Sequence, residues 1–139
     1  MSGPFEREGS GPEMSVKKYF TPKEATQTLP LVKKIVSDIQ ETGHRFRERI
    51  EELGTEASED PEVKRMADEL DDLLQELEDL GCTYKDPGFS KGLVDFPAII
   101  DDEEVLLCWQ SDEAEITYYH SPEAGFPGRK PIPKAHFES

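Results

Sequence analysis

The apolar residues of this chain change their spacing at Gly81, and that change limits the fold more than any other feature. Before it, Ala25, Leu29, Val32, Val36, Ile39, Gly43, Phe46, Ile50 and Leu53 follow steps of four and three, as do Val63, Met66, Leu70, Leu73, Leu77 and Leu80. Such steps place one stripe along a helix. After it the period is two, as in strands with distinct faces. The chain must therefore join a helical half to a sheet half, and it is expected to be α+β: an antiparallel, coiled-coil-like helical hairpin on a three- to four-stranded antiparallel sheet.

Local signals give the boundaries. Thr21-Pro22-Lys23-Glu24 is a helix start, with Thr21 and Glu24 placed to cap each other and Pro22 in the first turn. Pro30 is expected to end a short helix near 22–28, with a long one from about 29 that Thr28 caps. Gly54 is a stop, residues 55–60 a turn, Asp60-Pro61 a restart and Gly81 the second stop. Strands are expected at 93–100, 104–110 and 115–120, with a short edge strand at 82–85. Asp101-Asp102 and Ser111–Ala114 are the hairpin connections. With both loops even in length, Val94, Phe96, Ala98, Val105, Leu107, Trp109, Ile116, Tyr118 and His120 share the face under the helices. Asp95, Pro97, Leu106, Cys108, Thr117 and Tyr119 share the other. Asp95, Cys108 and Thr117 then form one cross-strand row, with His120 on the opposite face. The domain reading is a disordered polar extension over 1–15 and a single domain over 16–139: hairpin about 22–80, β-meander about 82–120 and a Gly/Pro-rich tail over 121–139.

Charge narrows the partners. The chain of 139 residues has 31 acidic residues against 16 basic ones, a formal net charge of −15. Nucleic acid and anionic membrane surfaces are disfavoured as partners by that field. There is no apolar run of the roughly 20 residues a bilayer span needs, and no secretory signal, so a cytoplasmic location with two reduced cysteines is expected. The acidic run from Asp68 to Asp79 reads as a solvated helix face.

Chemically able residues gather in the last third. His120 ends its strand and reads either as a base or ligand or as a histidine bonded to backbone. Asp95 is an aspartate in mid-strand, where a partner is expected. These two are the catalytic candidates. Gly125, Gly128 and Arg129 are the anion-binding candidates: the glycines let backbone N–H groups converge, and the guanidinium can fork onto a carboxylate or phosphate. Alternatively, Arg129 pairs with Asp95 or a helix carboxylate. Cys108 reads as a small buried hydrophobe, and Asp86 as turn chemistry. No CxxC or HxxxH spacing is present, so no metal site is assigned, and no P-loop or other cofactor signature is found.

The stretches YFTPKEATQTLPLVKKIV, LEDLGCTYKDP, GLVDFPA, LLCW, YYH and GFPGRKPI, in that order, resemble the small bacterial proteins grouped as domain of unknown function 2203. The resemblance runs from about Lys17 to Ile132. Members of that family carry Trp-His where this chain has Tyr119-His120, a departure that keeps the histidine. The resemblance implies that Asp95, Cys108, Trp109, His120, Gly125, Gly128 and Arg129 occupy recurring positions, and it implies no activity.

Two functional expectations follow. The first is a cytosolic binding or assembly module that forms a homo-oligomer through its helical arm. The second is a small enzyme or receptor for an anionic small molecule, using His120, Asp95 and Arg129. A third, metal binding by His120 with one or two carboxylates, ranks below both.

Overall fold

The computed structural model describes residues 18–86, 88–89 and 91–137. The extension expected at 1–15 lies outside the described residues. Helix α1 (Pro22–Leu53) begins with the expected reciprocal cap: the Thr21 hydroxyl accepts from the Glu24 N–H, and the Glu24 carboxylate accepts from the Thr21 N–H. The helix then runs unbroken through Pro30, against the expectation of two helices. Pro30 and Thr26 lie on the exposed side, so the Thr26 carbonyl that loses its helical donor meets water rather than protein. Thr28 caps nothing; its hydroxyl donates back to the Glu24 carbonyl within the same helix.

Helix α2 (Pro61–Leu80) starts at Asp60, whose carboxylate accepts from the Val63 N–H and from the Arg49 guanidinium of α1. A 3-10 turn (Gly54–Glu59) joins the two, with Ala57 buried inside it. Gly81 closes α2 at φ +103°, a left-handed conformation that glycine adopts without strain. The arms are unequal, 32 residues against 20. The buried side of α1 is also wider than a heptad seam. It includes Ile35 and Thr42, while Phe46, Ile50 and Leu53 stay half-buried. Thr42 lies on the side of α1 turned to α2, in a cleft with Glu69, Asp72, Leu73 and Glu76.

Five antiparallel strands follow in the order β1-β2-β3-β4-β5, rather than three or four: Thr83–Tyr84, Leu93–Ile100, Glu103–Gln110, Tyr118–His120 and Lys130–Pro131. The fifth comes from the tail, where no strand was expected. Between β2 and β3, Asp101 and Asp102 both take positive φ (54° and 67°), as the tightest hairpin turns require. Pro97 sits within β2. Its carbonyl accepts from the Phe20 N–H on the side away from β3, so the missing N–H falls on that outer edge and removes no β2–β3 bond.

The inner face is the core. Val94, Phe96, Ala98, Val105, Leu107 and Trp109 are buried against Val32, Val36, Ile39 and Leu77 of the helices. Phe20 meets the Phe96 ring edge-on, centroids 5.3 Å apart. Gly43 serves this packing by admitting the ring of Phe89, from the β1–β2 loop, against α1. A Cβ on Gly43 would lie 2.4 Å from Phe89 Cγ. Asp86 shapes that loop by accepting from the backbone N–H groups of Gly88, Lys91 and Gly92.

The second hairpin departs from the expected register by one residue. Cys108 stands opposite Tyr118, not Thr117, and Leu106 opposite His120. A shift of one exchanges the two faces of a strand. Tyr119 is therefore level with Leu107, while His120 shares the outer face with Asp95 and Cys108. Ile116, buried ahead of β4 in irregular chain, imitates a strand position and misleads the alternation.

Candidate functional site

Three strands bring three side chains together on the outer face. Asp95 on β2 is directly opposite Cys108 on β3. His120, at the end of β4, lies beside them. One ligand-type atom of each residue, a carboxylate oxygen, the Cys108 Sγ and an imidazole nitrogen, lies within 4.8 Å of the other two. All three residues are buried: Asp95 is 5% exposed, Cys108 1% and His120 4%.

The tail makes this burial. After β4 the chain crosses the outer face through Pro122, Gly125 and Phe126, then returns as β5 beside β4. It leaves a cavity of about 240 Å³ lined by Lys85, Leu93, Asp95, Leu106, Cys108, His120, Pro122, Gly125 and Phe126. The wall is apolar on Leu93, Leu106 and Phe126. The floor is the polar cluster, and Lys85 supplies a cation.

The hydrogen bonds of His120 decide its proton. Nδ1 lies 2.8 Å from the Ser121 carbonyl oxygen, which only accepts, so Nδ1 carries the hydrogen. Nε2 lies 3.3 Å from Asp95 Oδ1. A neutral imidazole would then turn a bare lone pair toward the carboxyl group. A proton on either partner makes that contact a hydrogen bond. Burial pushes the Asp95 carboxyl above the usual carboxylate range, and the charge and hydrogen bond of His120 oppose that push. Burial, with a further contribution from Asp95, raises the Cys108 thiol to about 12. Such a thiol is a poor nucleophile at neutral pH.

Arg129 is placed elsewhere than either alternative for its pairing. It reaches neither Asp95 nor a helix carboxylate as an ion-pair partner. Its Nη2 donates to both carboxylate oxygens of Glu113, in the β3–β4 loop, at 2.8 and 2.6 Å. The guanidinium carbon lies 4.2 Å from the ring centre of Tyr118 and 4.6 Å from that of Phe126. Glu113 in turn accepts from the Gln110 N–H. Arg129 thus fastens the tail, with Phe126, to the hairpin beneath it. The backbone N–H groups of Gly128 and Arg129 close the 3-10 turn on Gly125 and Phe126. Gly125, at φ +66°, lines the cavity.

The expected alternation puts His120 on the face opposite Asp95 and Cys108, and the structure instead brings the three together. Lys85 and Glu113 join the site without being among the candidates. Neither carries a local signal, since each acts through residues distant in the chain. Asp95 in mid-strand was the one local clue to the cluster.

A family model described as uncharacterized conserved protein (DUF2203) matches residues 18–132. The chain belongs to that family. The matched span contains every residue of the cluster, the cavity lining and the Arg129–Glu113 pair, so the site sits within the family domain. No curated protein and no solved structure matches the chain. Among the described residues, no helix is long and apolar enough to cross a membrane.

Proposed function

We propose that this protein binds a small anionic molecule in the outer-face cavity, as a receptor or enzyme. The reading rests on one observation: the buried Asp95–His120 pair, 3.3 Å apart, forms the floor of a cavity with apolar walls. A carboxyl group shifted by burial in a cleft, with a specific partner, is the mark of a candidate functional site. At about 240 Å³ the cavity is small and holds roughly eight waters at their liquid volume. The ligand's anionic head meets Lys85 and the proton of the Asp95–His120 hydrogen bond. A short apolar body meets Leu93, Leu106 and Phe126. In an enzyme the proton between Asp95 and His120 is the one transferred. Arg129 and Gly128 act by holding the roof, and Gly125 by lining it.

Titration of ¹⁵N-labelled protein with hexanoate and with phosphate tests this. Saturable amide shifts centred on Lys85, Leu93, Cys108, His120 and Phe126 are expected for at least one. Shifts absent, or scattered over the helices, defeat the reading.

A second reading, self-association through the helical arm, draws support from Phe46, Ile50 and Leu53, which stay half-buried at the far end of α1. It expects a dimer by native mass spectrometry, and a monomer at micromolar concentration defeats it.

A further inference from the structure

We infer that Asp95, Cys108 and His120 form a site for one divalent transition metal, zinc by preference, with a fourth position open to the cavity. The inference rests on the reading of the cavity as the ligand site, and it puts a metal, in place of the proton between Asp95 and His120, where the ligand's anionic head meets the floor.

Geometry carries it. The three donor atoms are within 4.8 Å of one another, and the His120 Nε2 to Asp95 Oδ1 separation is already 3.3 Å. Zinc–ligand bonds of about 2.0–2.3 Å in a tetrahedron put the ligand atoms roughly 3.5 Å apart. The imidazole and carboxylate already have that spacing, and the sulfur is within 4.8 Å of both. The imidazole is also set for the task. Its Nδ1–H is held by the Ser121 carbonyl, which turns the Nε2 lone pair inward. Metal-binding histidines are ordinarily held by such an outer hydrogen bond. Each donor comes from a different strand, β2, β3 and β4, so the spacing is fixed by the sheet ladder rather than by a loop.

Charge balances without further groups. Bound as thiolate, carboxylate and neutral imidazole, the three donors carry two negative charges, which a divalent cation neutralises, so the loaded site places no net charge in the low-dielectric interior. One sulfur, one nitrogen and one oxygen suit zinc better than magnesium or calcium, which prefer all-oxygen shells. Three protein ligands and one open position are the pattern of catalytic rather than purely structural zinc. All three residues line the cavity, so that open position faces the space where the ligand would lie.

The test uses the full chain freed of metal by a chelator, then titrated with cobalt(II) as a spectroscopic stand-in for zinc. One equivalent should bind, with the intense visible bands of tetrahedral cobalt and a near-ultraviolet thiolate-to-cobalt band. Cys108→Ser should abolish the thiolate band and weaken zinc binding at least tenfold, while Cys82→Ser should change neither. Asp95→Asn should weaken zinc binding tenfold or more, with unchanged circular dichroism showing that the fold is kept. Zinc calorimetry in two buffers of different ionisation enthalpy should show proton release on binding, as ligation by the Cys108 thiolate requires. The inference is overturned if no thiolate band forms, if Cys108→Ser keeps it, or if Cys82→Ser loses it. Hexanoate shifts on metal-free protein, without cobalt uptake, would remove the metal and leave the cavity reading standing. Cobalt uptake with no anion effect on its bands would do the reverse.

Discussion

The two faces of the sheet are built by different means. The inner face is covered by two helices and is apolar throughout, so its cover is stabilised by area removed from water. The outer face is covered by a short tail, held by the Arg129–Glu113 ion pair and by β5, and beneath it lie a carboxyl group, a thiol and an imidazole. Helices can cover a face only if side chains interdigitate over many turns. An irregular tail can bridge a polar group and leave space beside it. The comparison teaches that stability and chemistry are separated across one layer of backbone, so that each face can be altered with limited effect on the other.

That separation can be broken most severely from the inside. Phe96→Ala removes a fully buried ring under the helices and should destabilise the protein by about 3–5 kcal/mol in urea unfolding. If the loss is below 1 kcal/mol, the helices do not carry the core as described. On the outer face, Arg129→Ala frees Glu113 and unfastens the tail, and should cost about 2 kcal/mol. Its signature should be local: faster amide exchange over 121–131, with the β2–β3 ladder still protected. Exchange rising equally in both regions would show that the faces are not independent.

A smaller effect, with a sign set by pH, is expected at Asp95. Its raised carboxyl holds a proton more tightly when folded than when unfolded. That contribution is fully present below the unfolded value, about pH 4, and is lost as pH rises through the folded one. The groups facing it are His120, Cys108 and Lys85. Asparagine mimics the protonated acid at every pH. Asp95→Asn should stay within about 1 kcal/mol of the parent and gain on it steadily from pH 4 to 8. A constant difference across that range would mean that Asp95 is not held protonated by the fold. Least perturbing is a chemical probe. With its thiol raised to about 12, Cys108 in metal-free native protein should react with iodoacetamide at pH 8 far more slowly than in urea. Equal rates would show a site open to reagent.

What could be read from the sequence follows the same division. The caps at Thr21, Asp60 and Gly81, and the apolar alternation of β2 and β3, are local signals that need no tertiary knowledge. The outer site depends on long-range facts. Whether Pro30 breaks a helix depends on which side of α1 meets water. Whether His120 faces Asp95 depends on a single residue in the β3–β4 connection. The Arg129–Glu113 pair spans 16 positions with no pattern between them. The cluster draws its members from three strands, so no short ligand spacing could announce it.

The sheet's outermost strands, β1 and β5, are each two residues long, although β2 and β3 have eight. Pro97 removes a donor from the stretch of β2 that β1 leaves uncovered, and Phe20 occupies its acceptor. A foreign strand arriving beside β2 would find a donor missing at Pro97 and its acceptor already taken. The chain should accordingly resist growth into cross-β fibres even at the concentrations of a crowded cell.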